Sequence, residues 1–145
     1  MNIVIIDGYL GAGKTLAMTI LASYFKELSG CALYSNYGVK DSYAFSNFRD
    51  FLHVAEQSSS IICLDEAHSD LDSRNFNTNA VKFFTHLVFY FRKLRTTMFL
   101  ATPSIDNLDS RVRGICNLYC HVTKNKDHFF MICMISCIPE ATVTR

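Results

Sequence analysis

The sequence predicts an α/β fold: a mainly parallel sheet with helices on both faces and a β-hairpin at its C-terminal edge. Three observations carry that prediction. Residues 3–6 are an apolar β-branched run, the pattern of a strand buried on both faces, and residues 61–64 and 97–101 are further short strand-like runs. Helix-period segments lie between them: Leu16, Ile20, Leu21, Tyr24, Phe25 and Leu28 mark one, and Val81, Phe84, Leu87, Val88, Phe91 and Leu94 another. Strands alternating with helices favour parallel pairing. At the end, residues 116–122 and 129–136 flank the polar turn Lys124-Asn125-Lys126-Asp127, which reads as a hairpin.

The first strand runs into Gly8-Tyr9-Leu10-Gly11-Ala12-Gly13-Lys14-Thr15, which fits G-x-x-x-x-G-K-[ST], the phosphate-binding loop. Strand, glycine loop and helix stand in the order this motif requires. Glycines let the backbone curl so that consecutive N–H groups point at phosphate. The helix that follows adds the positive end of its dipole, and Gly30 is placed to close it. The predicted phosphate set is Gly8, Gly11, Ala12, Gly13, Lys14, Thr15 and Leu16. Lys14 brings a cation to the β- and γ-phosphates of ATP, and the Thr15 hydroxyl is a ligand for Mg²⁺.

A second strand is expected over residues 32–37, then a polar connection over 38–44 and a short helix on Phe48, Phe51, Leu52 and Ala55. The polar run 57–60 precedes the third strand, 61–64, which delivers Asp65-Glu66 at its carboxyl end. Residues 69–79 form a polar insert, and Thr78 or Asn79 can cap the helix over 81–94. Its aromatic residues (Phe83, Phe84, Phe89, Tyr90, Phe91) are too dense for one buried stripe. They pack either against a neighbouring subunit or within a core that encloses the helix. The fourth strand, 97–101, ends at Thr102-Pro103. A polar stretch with a helical turn follows, carrying Asp109, Arg111 and Arg113. The phosphate loop, Asp65-Glu66 and Thr102 all fall at carboxyl ends of strands, where open α/β sheets bind ligands.

The 145 residues predict one domain, 1–145. Hydrophobic residues at 50% against 19% charged make the chain globular rather than disordered. No apolar run approaches the roughly 20 residues that span a bilayer, so no membrane span is predicted. Met1-Asn2 leads straight into the first strand with no signal peptide, which predicts a cytoplasmic protein, or a virion-associated one if viral. A net charge of +1 does not favour a broad nucleic-acid surface, although a narrow grip on a backbone needs few basic residues. The six cysteines include two spaced pairs, Cys116/Cys120 and Cys133/Cys137. On strands that spacing puts each pair on one face, shared with Leu118, Met131 and Ile135. Buried reduced thiols are the expected reading, with no structural zinc.

The acidic pair is the most informative feature after the loop. Asp65 stands where a carboxylate holds Mg²⁺, and Glu66 beside it can polarise the water that attacks the γ-phosphate. Asp65-Glu66-Ala67-His68 also spells the box of a helicase class. Those helicases need two RecA-like domains and this length supplies one, so His68 reads as a local hydrogen-bonding residue.

A longer set of residues resembles the FtsK–HerA group of P-loop ATPases, nearest its short Zot-like and viral genome-packaging members. The set is Ser35-Asn36-Tyr37, Leu64-Asp65-Glu66-Ala67-His68, Leu71-Asp72-Ser73-Arg74, Arg92-Lys93, Phe99-Leu100-Ala101-Thr102 and Leu108-Asp109-Ser110-Arg111-Val112-Arg113. The resemblance implies a RecA-like (ASCE) core whose phosphate-loop strand is flanked by the fourth and fifth strands. It implies ATP hydrolysis by a homo-oligomeric ring, usually hexameric, that moves DNA. It places Lys14 and Thr15 on phosphate and metal, Asp65 on Mg²⁺ and Glu66 on the attacking water. Arg111 or Arg113 falls where a neighbouring subunit supplies an arginine finger; the alternative is ion pairing within the subunit, with Asp106 or Asp109. The sequence departs from the group where a γ-phosphate-sensing glutamine is common, since Thr102 stands there with a shorter reach.

Two further functions stay open at this level. One is a nucleotide-gated assembly protein with little turnover. The other is a small-molecule phosphotransferase in which Arg111 and Arg113 close over the phosphate donor, a reading that leaves Glu66 unexplained.

Overall fold

The computed structural model of the chain describes residues 2–46, 50–67 and 95–135. In chain order its elements are β1 (Asn2–Asp7), α1 (Lys14–Ser29), β2 (Ala32–Ser35), β3 (Tyr43–Ala44), α2 (Asp50–Ala55) and β4 (Ser59–Leu64). They continue with β5 (Arg95–Thr102), a 3₁₀ turn (Ile105–Asn107), α3 (Ser110–Gly114), β6 (Leu118–Lys124) and β7 (Phe129–Ile135). Among the described residues one seven-stranded sheet forms, in the order β3-β2-β4-β5-β1-β6-β7. All neighbours run parallel except β6 and β7, which form the expected antiparallel hairpin. This is the predicted P-loop α/β architecture, with β1 between β5 and β6. The insert over 69–79, the helix over 81–94, His68 and Cys137 lie outside the described residues.

β1 shows why the sheet is central. Ile3 and Ile5 face one layer while Val4 and Ile6 face the other, and all four are buried. Each such burial contributes about 1.5–3 kcal/mol relative to an exposed side chain. Helix α1 covers the Val4/Ile6 face with Ala17, Met18 and Ala22. Phe51 and Val54 of α2, Leu108, and Val112 of α3 pack on the opposite face. Gly30 closes α1 in the left-handed conformation (φ 66°), donating its N–H to the Lys26 carbonyl at 2.8 Å.

Two details differ from the sequence reading. The connection over 38–44 contains the short strand β3, set by pairing with β2 and continued by Phe45 N–H donating to the Ser35 carbonyl at 2.8 Å. The cysteines also differ. Cys116 precedes β6, so strand alternation does not reach back to it. It joins the α2/α3 layer, whereas Cys120 faces α1. Ile135, expected on the buried face, is 81% exposed. Cys120 and Cys133 are not reduced thiols but are joined by a disulfide across β6 and β7. The hairpin register explains it. The Asn125 N–H donates to His128 O, and counting back from that bonded pair puts 120/133 on a non-hydrogen-bonded site, where facing side chains come closest.

Candidate nucleotide site

The loop between β1 and α1 folds tightly against the hairpin. Gly8 (φ 154°) has no room for a side chain, because a Cβ there would collide with the Val122 carbonyl oxygen. At Gly13 (φ 97°), which caps α1, a Cβ would stand 2.8 Å from Phe129 Cε2. Ala12 is buried and its N–H donates to the Tyr9 carbonyl at 3.0 Å, tightening the turn, while Leu16 is largely exposed. Lys14 is only 6% exposed. Its Nζ donates to the Gly8 carbonyl at 2.9 Å and the Tyr9 carbonyl at 3.1 Å, which holds the ammonium across the loop and keeps one of its three donors for phosphate.

Asp65 reaches this loop from β4. The Thr15 hydroxyl donates to Asp65 Oδ2 at 2.8 Å, bringing together two residues 50 positions apart. Two hard oxygen donors side by side at a phosphate loop fit a hydrated Mg²⁺. Asp65 is itself fixed by Asn36, whose Nδ2 donates to the Asp65 carbonyl and whose Oδ1 accepts from the Asp65 N–H. Asp65 Oδ1 accepts from the Glu66 N–H at 3.0 Å. Glu66 is exposed and adopts φ 54°, a left-handed conformation that non-glycine residues seldom hold. The chain thus turns out of the strand direction at Glu66, at the carboxyl end of β4.

Behind the Thr15–Asp65 pair lies a packed polar line. Thr19 Oγ1 donates to the Thr15 carbonyl at 2.7 Å, so the Tyr37 hydroxyl, 3.0 Å away, is the donor to Thr19. Burial pushes the Tyr37 hydroxyl up to about 12, and burial pushes the neighbouring Cys63 thiol up to about 12 as well. Both stay protonated at neutral pH.

The other predicted residues sit nearby in different states. Thr102 is fully buried and donates its hydroxyl to the Ser104 carbonyl at 3.0 Å. Arg111 Nε lies 3.2 Å from Asp109 Oδ1, and Arg113 Nη1 lies 2.9 Å from Asp106 Oδ1. Both arginines therefore hold carboxylates of their own chain.

Sequence reasoning missed a second carboxylate cluster. Asp7, at the end of β1, is in register with Thr102 on one side and His121 on the other. Its Oδ1 accepts from the Tyr119 hydroxyl at 2.8 Å and from His121 Nδ1 at 2.7 Å, and its Oδ2 from the Ile105 N–H at 3.2 Å. Burial, then the hydrogen bond and charge of Asp7, raises the Tyr119 hydroxyl well above its ordinary value. Asp7 so ties the start of the loop to the segment that carries the arginines. Its place next to Gly8 was the only local signal. An apolar cavity of about 560 Å³, bordered by Val4, Leu21, Phe25, Phe99 and Leu118, lies between α1 and the sheet and contains none of these groups.

Residues 4–123 match the family model described as the ATPase family associated with various cellular activities (AAA). The chain belongs to the AAA family of ATPases. It is accordingly an ATP-binding P-loop ATPase, as the loop and acidic pair predicted. No match to a curated protein was found. Among solved structures it resembles the N-terminal domain of zonular occludens toxin from Neisseria meningitidis, with a TM-score of 0.70 and 18% identity over 94% of this chain and 84% of that one. It also resembles B204, the DNA-packaging ATPase from Sulfolobus turreted icosahedral virus, with a TM-score of 0.66 and 15% identity over 87% and 77%. The genome-packaging NTPase B204 of the second such virus, in complex with ATP-γ-S, gives 0.64 and 13% over 87% and 77%. At these identities the likeness is one of fold, and it agrees with the resemblance read from the sequence.

Proposed function

We propose that this AAA ATPase is the hydrolytic subunit of an oligomeric ring that moves viral, phage or plasmid DNA. The observation that carries the hydrolytic part is the Thr15–Asp65–Glu66 arrangement: a hydroxyl and a carboxylate in contact, followed directly by a second acidic residue whose backbone N–H donates to the first carboxylate. The DNA part rests on the fold shared with the DNA-packaging ATPase B204.

In this reading the loop N–H groups and Lys14 bind the triphosphate, and Gly8, Gly11, Ala12, Gly13 and Leu16 shape that cradle. Thr15 and Asp65 would hold Mg²⁺, which draws charge from the phosphate oxygens when bound. Glu66 orients the attacking water and accepts its proton. Arg111 or Arg113, released from Asp109 or Asp106 as subunits meet, stabilises charge on the neighbour's γ-phosphate, a contribution of about 10³–10⁵ in turnover. Thr102 senses that phosphate when its hydroxyl leaves the Ser104 carbonyl and donates to a phosphate oxygen instead. The site of action is the cytoplasm of the host, or the virion.

Mixed assemblies test this reading. An inactive Arg111→Ala or Arg113→Ala protein mixed with inactive Lys14→Ala protein should recover part of the ATPase activity, because a mixed interface joins one intact finger to one intact loop. Activity per subunit should rise with concentration and with added double-stranded DNA. Flat activity across the assembly range, with no rescue and no response to DNA, would remove the ring motor. One observation favours a second reading, a nucleotide-gated assembly protein with little turnover: both arginines are ion-paired within their own subunit. In that case ATP changes the assembly state while phosphate release stays near background.

A further inference from the structure

The direction in which a nucleotide lies on the loop follows from the sheet order. Thr15, Asp65 and Glu66 gather on the β4 side of β1 and mark where the terminal phosphate goes. The nucleoside must then leave on the other side of β1, where β6 and β7 stand. Phe129, the first residue of β7, packs its ring edge on Gly13, yet 40% of the residue remains exposed. Its alternation with Met131 and Cys133 puts it on the same side of the sheet as α1 and the loop. The hairpin is held twice on the side of Phe129 away from its turn, by the Val122 carbonyl against Gly8 and by the Cys120–Cys133 disulfide. An aromatic ring with one side on the phosphate loop and the other open to solvent, held on a stapled hairpin, is a preorganised platform.

We propose that Phe129 is the stacking surface for the base of the bound nucleoside triphosphate, a binding residue that extends the phosphate site described above and rests on that site being correct. Every base presents a π-face, so a stacking platform of this kind accepts purine nucleoside triphosphates with little discrimination between adenine and guanine.

Calorimetric titrations of the full chain with ATP, GTP and inorganic tripolyphosphate, each with Mg²⁺, test it. Phe129→Leu keeps apolar packing on Gly13 and removes the π-face. It should weaken ATP and GTP by about 10- to 100-fold and leave tripolyphosphate binding unchanged. Phe129→Tyr should keep nucleotide affinity. Undiminished ATP affinity in Phe129→Leu would overturn the platform while leaving the phosphate site intact. An equal loss of ATP and tripolyphosphate would also overturn it, since Phe129 would then only support the loop. A wild-type chain that binds neither ligand would overturn the phosphate site itself, and the platform with it.

Discussion

Asn36 grips both backbone groups of Asp65: its side-chain amide donates to the Asp65 carbonyl at 2.9 Å and accepts from the Asp65 N–H at 2.8 Å. A single side chain thereby replaces two strand-type hydrogen bonds at the point where β4 ends and the Asp65-Glu66 turn begins. Asn36→Ala should leave ATP affinity within a few-fold and lower turnover by about 10-fold or more, since small misplacements of a reacting group are expensive. Asn36→Asp should be as damaging, because a carboxylate cannot donate to the Asp65 carbonyl. Steady-state kinetics beside equilibrium binding separate the two effects. Wild-type turnover in both variants would show that the turn holds its shape without Asn36.

Lys14 lies buried across the loop, held by the Gly8 and Tyr9 carbonyls. Lys14→Ala should reduce ATP affinity by about 10- to 100-fold, the weight of a hydrogen bond to a charged group, about 1.5–3 kcal/mol. Calorimetry giving unchanged affinity would move the nucleotide elsewhere on the chain.

Glu66, the proposed general base, holds an unfavourable backbone conformation, φ 54°. Glu66→Gln should bind Mg²⁺–ATP normally and turn over about 10² slower. Glu66→Gly should be equally inactive, yet melt at the same temperature or higher, since glycine relieves a left-handed residue by up to about 1 kcal/mol. A clear loss of stability in Glu66→Gly would mean that the side chain's own contacts outweigh the backbone strain.

The Cys120–Cys133 disulfide closes a segment of 13-residue separation. A loop of about that length contributes at most about 3 kcal/mol by chain entropy, and less here because β6–β7 pairing already restrains it. A thiol reductant should lower the melting temperature of the wild type and leave that of Cys120→Ser/Cys133→Ser unaffected. Identical wild-type melts with and without reductant would show that the bond contributes nothing to stability.

Cys63 and Tyr37 give a pH signature. Both are pushed up to about 12 by burial, from 9.0 for the thiol and 10.0 for the hydroxyl. The unfolded chain therefore ionises first, so their contribution is complete below pH 9 and falls as pH rises from 9 towards 12. Cys63 alone can give a slope of up to about 1.4 kcal/mol per pH unit. Tyr37, half in solvent, adds less. Urea unfolding at pH 8 to 11 should show the decline, and Cys63→Ser should flatten it. An unchanged slope in that variant would assign the alkaline loss to other groups.

The sequence made legible what local pattern encodes. The run before Gly8, the glycine spacing and the apolar strand ahead of Asp65 fix the loop, the place of the acidic pair and the parallel core, because each depends on a few adjacent residues. What escaped depends on register. β3 is two residues long and exists only through β2. The pairing of Cys120 with Cys133 follows from the position of the Asn125–His128 turn, and a one-residue slip would have put the two thiols on opposite faces. Asn36 and Asp65 lie 29 positions apart, and Asp7 and His121 lie 114 apart, so no window on the chain shows either pair.

The packing of the hairpin on the loop sets how far this chain can vary. Gly8 and Gly13 are constrained twice, by a positive φ and by the Val122 carbonyl or the Phe129 ring, whereas nothing approaches a Cβ at Gly114, where the backbone is ordinary. Saturation mutagenesis should therefore return a graded map. Gly114 should accept alanine freely. Gly8 should accept nothing, because its neighbour is backbone and cannot yield. Gly13 should recover partial tolerance only in chains where position 129 has also become small. Such a pairwise dependence, visible in a double-mutant library and in neither single scan, would make the first residue of β7 a determinant of which phosphate-loop sequences this fold can carry.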